Sequence, residues 1–457
     1  MNIDELYLNI HNSSFDSLIR QADIQTEADV QAYHEKGYFV QLTESEFQER
    51  FPGIETKHIC YIPSFSLSCF YFNRDTLVVC PFRVDMLLLG TKVVTLEGTC
   101  REIERREKMA AAGDYAESVF TLPDRMKLEY FTMLVEKHGA TLPNLYRLFF
   151  DMYTESDYGF NGLDTHTLET ILNSKTESDK ARTATAVKNL PETITVYRGG
   201  NTESADYAEA WSWTLDINTA NFFASRRGRG PGYIVEAQVN NADIIDAFLD
   251  NRDEQEIIVA PADVRFVREI PIHGLDFLKD ALPKVTPLYR QYRDELDYLD
   301  FAMDSQYHGK AHEARVLLLT QIISELLDLP LLERKILAEA AIYHDTQRTN
   351  DDEDACHGAA SAEYYHDDVA KPSFLVEFLC QYHCLPDEQG YTEIRNNKKL
   401  SRNRSQATRL YQVFKDADAL DRIRLGSIRE LDLNQLRLDV SKELTLVARF
   451  CLEQIKV

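Results

Sequence analysis

The spacing of apolar and polar residues changes along the chain, and the N-terminal part contains two patterns. Between residues 38 and 99, apolar residues alternate with serines and are interrupted by Asn, Asp and Gly, which predicts short strands. A charged, alanine-rich stretch over 101–116 predicts an exposed helix and a domain boundary. Apolar residues at three- and four-residue spacing then predict amphipathic helices over 122–139, 142–153 and 165–172.

The remaining sequence separates into a strand-rich segment and a helical segment. Short strands are predicted at 193–197, 211–214, 233–239, 256–259 and 264–269, with a helix at 218–224 after Asp216. From residue 276 onward the apolar spacing predicts helices at 310–327, 331–344, 359–365, 374–384, 405–419 and 440–455. The order of elements predicts a multidomain α+β protein. It has a β-rich N-terminal region of unknown role (1–116), an α+β domain (117–275) and an all-α domain (276–457).

Composition and charge narrow the class of protein. With 457 residues, of which 44% are hydrophobic, the chain can form more than one core and is not globally disordered. The net charge of -25 repels phosphate, which argues against non-specific binding to nucleic acid or to an anionic membrane. No apolar stretch is long enough to span a bilayer, and the acidic N-terminus lacks a signal-peptide core. We therefore expect a cytoplasmic protein, or one delivered to another cell's cytoplasm.

The cysteines indicate the redox state of the thiols and raise the alternative of a structural zinc site. The eight cysteines include no CxxC pair, which favours reduced thiols. Cys380, His383 and Cys384 are spaced like zinc ligands, but they lie in an apolar helical run and lack a matching second pair. Buried core cysteines are therefore favoured over a structural zinc site there.

Polar motifs on the predicted strands form a first candidate site. Arg198 is followed by Gly199 and Gly200, and a fixed guanidinium beside backbone that can approach a ligand suits bidentate binding of pyrophosphate. Ser212 and Thr214 alternate with tryptophans, so their hydroxyls are predicted to face one side of the next strand.

Two carboxylates follow on a later predicted strand. Glu254 and Glu256 alternate into the apolar residues 257–259, which predicts that both side chains lie on one face at the start of that strand. Near a glycosidic bond, one carboxylate can stabilise developing positive charge while the other activates a nucleophile. The alternative is a turn arginine, a sheet serine and a solvated acidic loop without a catalytic role.

Together these residues resemble the ADP-ribosyltransferase family of the Arg-Ser-Glu type, over roughly 122–272. The resemblance implies a split-sheet α+β domain in which Arg198 holds NAD and Ser212 orients the arginine and the active-site strands. It implies that Glu256 binds the nicotinamide ribose and stabilises the oxocarbenium, and that Glu254 activates the acceptor. The residues that would bind NAD are Arg198, Gly199, Ser212, Thr214 and Phe223, the last against nicotinamide.

Histidines and aspartates recur through the last third of the chain and form a second candidate site. The series comprises His308, His312, His344, Asp345, His357, His383, Asp416 and Asp418. The first two histidines are four residues apart and so share a helical face, while the adjacent His344 and Asp345 end an apolar helix. Imidazole and carboxylate ligands suit a divalent metal that activates water. The sequence therefore predicts a metal-dependent hydrolase.

This series resembles the HD-domain phosphohydrolase superfamily from about 308 to 424. The resemblance implies that the metal ligands are His312, His344, Asp345 and Asp418. It places His357 and His383 on a second metal or on substrate phosphate, and His308 is an additional histidine with the same two alternatives. Asp416 competes with Asp418 for the ligand role, and Asp418 is preferred because the family's ligand stands just before a residue-leucine step. The ligand types do not distinguish Mn, Mg, Fe, Ni and Zn.

The two sites together predict a bifunctional enzyme. One domain would transfer ADP-ribose from NAD to a protein or nucleic-acid acceptor, and the other would hydrolyse a phosphoester or pyrophosphate in a phosphorylated nucleotide or ADP-ribosyl substrate. The pairing is similar in architecture to the SidE-type ubiquitin-modifying effectors, although the domain order differs. One alternative is an HD-type nucleotide phosphohydrolase with a non-catalytic, NAD-binding regulatory domain. Another is an interaction scaffold without activity.

Overall fold

The chain forms two compact units, which comprise Met1–Ala184 and Thr185–Val457. The computed structural model describes residues 59–62, 68–73, 75–82, 96–122, 124–155, 160, 163–202, 204–226, 230–249, 254–352, 354–426 and 431–455. Of the region 38–99 predicted to form strands, residues 38–58 and 83–95 lie outside these residues, and residues 96–99 belong to a helix instead. No helix among the described residues combines the length and apolarity of a membrane span.

The first unit contains a small sheet followed by helices. Three antiparallel strands pair in the order β1-β2-β3, with bounds Ile59–Ile62, Ser68–Asn73 and Val78–Phe82. The helices α1 to α6 span Leu96–Ala111, Ala116–Phe120, Asp124–His138, Leu145–Glu155, Thr165–Asn173 and Glu177–Val187, the last continuing into the second unit. Phe131, Phe149 and Phe150 are fully buried and pack ring against ring, so aromatic residues form the core of these helices.

The second unit begins with a six-stranded sheet. Strands β4 to β9 span Thr193–Asn201, Ser212–Thr214, Gly232–Asn240, Ile244–Phe248, Glu256–Val259 and Arg265–Ile272. All pairs are antiparallel, in the order β7-β8-β5-β4-β6-β9. β4 and β5 meet at a single residue pair, Tyr197 with Thr214, whereas β4 pairs with β6 along its length. The sheet is therefore two three-stranded halves that separate beyond this pair.

Five of the six strands match the predicted ones, and β7 was not predicted. The reason is Asp246, which interrupts the apolar pattern of β7 although it is fully buried opposite Ile258. A polar residue inside a short strand conceals the periodicity on which such a prediction depends.

Helix α7 (Ile217–Ser225) packs on the centre of this sheet. Asp216 caps it by accepting hydrogen bonds from the backbone N–H groups of Asn218 at 3.0 Å and Thr219 at 3.2 Å. A Cβ at Gly199 would lie 1.7 Å from the carbonyl oxygen of Ala220, so only glycine lets the helix lie against β4. This contact covers the Cβ side of Gly199, and binding of NAD by its backbone stays a prediction.

The rest of the unit is helical. Helices α8 to α13 span Phe277–Leu296, Lys310–Leu326, Leu331–Tyr343, His357–Asp368, Phe374–Tyr382 and Asp387–Asn396. Helices α14 to α17 span Lys398–Ser401, Arg404–Leu420, Asp439–Lys442 and Thr445–Gln454. The helix predicted over 440–455 is thus two helices.

Part of the sheet shares a hydrophobic core with the helices, while other sheet residues such as Val196, Trp213 and Val235 form a separate buried cluster. Ile217, Ala220 and Ile234 from the sheet side belong to the same buried cluster as residues of α9, α10 and α15. Asn218 ties α7 to the segment before α16, since its amide donates to Asp432 at 3.0 Å and its carbonyl accepts from the N–H of Leu433 at 2.7 Å. The predicted separation into domains of different function at residue 276 stays a prediction, and the two regions fold as one compact unit.

Candidate functional site

The histidines and aspartates of the second unit converge where several helices begin or end. His312 lies in the first turn of α9, and His357 is the first residue of α11. His344 and His383 are the residues that follow α10 and α12. Several helices can direct side chains from their ends to one point, because at its end a helix no longer fills the space around that point with its own backbone. We call His312, His344, Asp345, His357, His383 and Asp418 the His/Asp centre.

The centre consists of two histidine pairs on either side of Asp345. The Nε2 atoms of His312 and His344 are 3.3 Å apart, and those of His357 and His383 are 3.0 Å apart. Asp345 Oδ2 is 3.7 Å from His312 Nε2, while its Oδ1 is 2.9 Å from His357 Nε2 and 3.3 Å from His383 Nε2. One carboxylate therefore joins both pairs.

The other ring nitrogens determine the charge at the second pair. His357 Nδ1 lies 2.5 Å from the carbonyl oxygen of Asp354, and His383 Nδ1 lies 2.7 Å from that of Cys380. A carbonyl can only accept, so each Nδ1 carries the proton and each neutral ring presents a lone pair at Nε2. The two Nε2 atoms and Asp345 Oδ1 then face one another, so positive charge is favoured among them, whether it comes from a proton, from the Arg348 guanidinium 3.4 Å from His357 Nε2, or from a metal cation.

The first pair is held in the same way. His312 Nδ1 is 2.7 Å from Asp421 Oδ2, and His344 Nδ1 is 2.7 Å from Glu313 Oε2 and 3.0 Å from the carbonyl oxygen of Ala341. Carboxylates and carbonyls behind imidazoles are the usual support of metal-binding histidines, because they orient the ring and raise its basicity.

Burial makes this concentration of charge costly. His344, Asp345 and His357 are at most 3% exposed, and burial of ionisable groups is unfavourable without compensation. The Asp418 side chain, 3.4 Å from His312 Nε2, remains 26% exposed. The centre is therefore open to solvent on the side of Asp418.

The pKa values reflect the attraction for positive charge. Burial lowers the pKa of His344, but the carboxylates of Glu313 and Asp345 outweigh burial and raise it to about 9. For His357, burial is outweighed by hydrogen bonding to Asp345, which raises the pKa to about 10. Burial lowers the pKa of His383 to about 4. Each pair thus contains one histidine with a raised pKa, so both positions attract a cation.

The structure brings all the predicted ligands together. Groups that could hold a metal ion are His312 with His344 and Asp418, His308 with His312 and Asp345, His344 with Asp345 and His383, and His357 with His383 and Cys384. Asp416 is not among them, because its carboxylate accepts from the backbone N–H groups of Arg437 and Leu438 and from the Arg437 guanidinium. Asp416 therefore stabilises the fold, and Asp418 faces the centre.

Several residues at the centre were not predicted from the sequence. Glu313, Asp421 and Arg424 support its histidines, and their nearness to His312 and Asp418 along the chain was the available signal. The two cysteines near His383 differ from each other. Cys380 is a fully buried core residue, as expected, whereas Cys384 lies beside the histidines.

The residues of the first candidate site also meet, and we call Arg198, Ser212 and Glu256 the sheet site. Arg198 Nη1 donates to the carbonyl oxygen of Ser212 at 2.7 Å, and Ser212 Oγ donates to Glu256 Oε1 at 2.5 Å. They lie on β4, β5 and β8 where the two halves of the sheet separate, and Glu256 is 5% exposed. The serine thus links the arginine strand to the glutamate.

The environment of Glu254 differs from the prediction. Gln255 has φ +46°, so the backbone turns between Glu254 and Glu256, and β8 begins only at Glu256. Alternation along a strand therefore does not apply to this pair. Thr214 Oγ1 donates to the carbonyl oxygen of Glu254 at 2.5 Å, so this hydroxyl holds the turn. Phe223 is half-buried, with the Arg226 guanidinium 4.5 Å from its ring centre.

Comparisons of this chain with known protein families, with curated proteins and with solved structures find no match. The arrangement of side chains is therefore the basis for assigning a function. Of the two sites, the His/Asp centre is the one whose residues are grouped so that they could hold a metal ion.

Proposed function

We propose that the His/Asp centre is the active site of a metal-dependent phosphohydrolase of the HD-domain kind. The observation that carries the proposal is the pair of Nε2 clusters on either side of Asp345, each with its Nδ1 atoms already hydrogen-bonded or ion-paired. Imidazole nitrogens and carboxylate oxygens are suitable ligands for Mn, Fe, Ni or Zn. The ligands fit one or two divalent ions, with Asp345 shared.

Bound divalent metal in such a centre would lower the pKa of water and neutralise charge on a phosphate. His308 belongs to neither pair, and its Nδ1 lies 3.0 Å from Asp345 Oδ2 at the edge of the centre. Burial lowers its pKa, which keeps the ring neutral near pH 7 and able to take up a proton. His308 is therefore suited to move a proton during hydrolysis.

The position of Arg424 is a reason to propose that the substrate is an anion. Its Nη2 lies 3.2 Å from His308 Nδ1, and its Nη1 is buried 3.6 Å from Asp421 Oδ2 without a hydrogen bond to any residue that the structure describes. A guanidinium with an unused N–H group beside a metal centre suits a phosphate oxygen. The proposed substrates are phosphorylated nucleotides and ADP-ribosyl pyrophosphates.

The proposal is tested by incubating the protein with phosphodiester and pyrophosphate substrates and Mn²⁺. Hydrolysis is measured as the release of phosphate or nucleotide. The double variant His344→Ala with Asp345→Ala should lose activity, and Asp367→Asn, an exposed position on α11, should keep it. Activity that persists in chelator, or in the double variant, would refute the proposal.

A second proposed activity is transfer of ADP-ribose from NAD at the sheet site. It is supported by the continuous contact from Arg198 through Ser212 to Glu256 at the junction of the two half-sheets. A guanidinium is suited to pyrophosphate, and a buried carboxylate is suited to developing charge on a ribose. The acceptor, protein or nucleic acid, would be activated by Glu254.

Nicotinamide release from labelled NAD tests this second activity. Wild type should release nicotinamide and Glu256→Gln should not, while its hydrolysis at the His/Asp centre should be unchanged. Titration with NAD by calorimetry distinguishes the regulatory alternative, for which binding without turnover is expected. Equal release by wild type and Glu256→Gln would exclude the sheet site as the catalyst.

A further inference from the structure

One side of the His/Asp centre contains a sulfur atom. Cys384 directly follows His383 after the end of α12, and its Sγ lies within 4.8 Å of the ligand atoms of His357 and His383. The thiol also makes a weak contact with the carbonyl oxygen of Ala355, at 3.8 Å. The thiol is partly exposed, unlike that of Cys380, which is fully buried beside the carbonyl oxygen of Ala340.

Gly358 makes room for this sulfur. A Cβ at Gly358 would lie 2.9 Å from Cys384 Sγ and 2.7 Å from the carbonyl oxygen of Cys380. The first turn of α11, which carries His357, can therefore lie against the end of α12 only because residue 358 has no side chain. The packing of these two helix ends brings the sulfur and both imidazoles to one side of Asp345.

We propose that Cys384 supplies a thiolate ligand to a metal ion on the His357 and His383 side of Asp345. This inference rests on the proposed metal centre, and it specifies which kind of metal ion one of the two positions prefers. The ligand atoms that lie within 4.8 Å of one another on that side are those of two imidazoles and one sulfur, and three nitrogen or sulfur ligands with water in the fourth position are a set that Zn²⁺ takes in catalytic sites. The other position, formed by His312, His344 and Asp418, offers only nitrogen and oxygen.

The two positions therefore differ in selectivity. Thiolate favours softer ions such as Zn²⁺, whereas nitrogen and oxygen ligands also accept Mn²⁺ or Fe²⁺. A protein with both positions filled is expected to hold two unlike metals, with the thiolate position keeping zinc when the other ion is exchanged.

Cobalt substitution tests the sulfur ligand directly. Chelator-treated full-length protein is titrated with Co²⁺, because Co²⁺ bound to thiolate gives a sulfur-to-metal charge-transfer absorption in the near ultraviolet. Wild type should show this absorption. Cys384→Ser should lose the absorption and bind one of its cobalt ions at least about 10-fold more weakly. Cys356→Ser, at the exposed residue before His357, is the matched control and should resemble wild type.

The outcomes separate the two proposals. If wild type binds no cobalt, the metal centre itself is refuted. If it binds cobalt without the charge-transfer absorption, or if Cys384→Ser retains that absorption, the thiolate ligand alone is refuted. Cys384→His gives an independent check should the serine variant misfold, since an imidazole can restore binding but not the sulfur absorption.

Discussion

The His/Asp centre and the sheet site belong to the same compact unit, but their polar groups are arranged in opposite ways. At the sheet site donors face acceptors, because a guanidinium meets a carbonyl and a hydroxyl meets a carboxylate. At the centre the Nε2 atoms of His357 and His383 face each other and Asp345, so the second of these contacts is satisfied only where a proton or another cation lies between acceptors. Positive charge stabilises the second arrangement, and a proton, the Arg348 guanidinium or a metal cation can supply it.

This difference indicates how strongly each site argues for its ligand. A buried group of acceptors costs folding free energy, so its presence points to a bound species that compensates for the cost. The hydrogen-bond chain from Arg198 through Ser212 to Glu256 is compatible with NAD binding but also with a structural role. The centre is therefore the firmer basis for a function, and the two sites are expected to respond differently to the same treatments.

The largest effect on metal affinity is expected from the substitution Asp345→Asn. The amide removes the negative charge shared by both histidine pairs, so metal affinity at both positions should fall by more than about 100-fold, beyond the loss caused by changing a supporting residue. Metal content after dialysis, measured by elemental analysis, checks this. Two equivalents retained by the variant would show that Asp345 is not the shared ligand, and Asp367→Asn is the control.

A smaller loss of metal affinity is expected from the substitution Glu313→Gln. Glu313 Oε2 lies 2.7 Å from His344 Nδ1, and Oε1 accepts from the backbone N–H of Asp345 at 3.0 Å, so the residue orients two ligands. Metal affinity should fall about 10- to 100-fold, with the fold retained. Competition with a chromogenic chelator measures the affinity. Loss at only one of two metal positions would agree with the place of Glu313 behind the first pair, whereas unchanged affinity would contradict it.

Ser212→Ala should affect stability in a way that does not depend on metal. Its hydroxyl donates to a buried carboxylate, and loss of such a bond costs about 1.5–3 kcal/mol. Urea unfolding with and without chelator should give the same difference from wild type. Ser204→Ala, which removes an exposed hydroxyl, should cost less. If the difference in unfolding free energy between Ser212→Ala and wild type changes when chelator is added, the stability of the sheet site depends on metal at the His/Asp centre.

The smallest effect is a pH dependence of the chelator-treated protein. The pKa of His344 is raised from 6.5 to about 9 and that of His357 to about 10, so their stabilisation is complete below pH 6.5 and is lost as the pH rises through 9 and 10. The pKa of His383 is lowered to about 4, so its stabilisation is complete above pH 6.5 and is lost as the pH falls toward 4.

The Tm of the chelator-treated protein should therefore decrease on both sides of about pH 6.5, by on the order of a few degrees. Metal-loaded protein should not show the decrease at high pH, since the ions then replace the protons. Differential scanning calorimetry at several pH values measures both curves. A Tm of chelator-treated protein that rises steadily from pH 6.5 to 9 would contradict the raised pKa of His344.

Local patterns were sufficient to predict most helices and strands of the second unit. Apolar spacing placed α9 and α10 to within a residue at each end, and Asp216 marked the start of α7. The same reasoning placed β4 to β6 but not β7, where Asp246 conceals the periodicity. The tendency of a segment to form a helix or a strand depends on residues close in the chain, which a single sequence displays.

The chemical types of the site residues were also readable from the sequence, because imidazoles, carboxylates and an arginine before glycines suit few kinds of ligand. Their arrangement was not. That His357 and Cys384 face the same point depends on how α11 packs against α12, and that Gly199 contacts α7 depends on how a helix lies on a sheet. Such contacts join residues distant along the chain, so only the packed core sets which acceptors face one another and where a cation is needed.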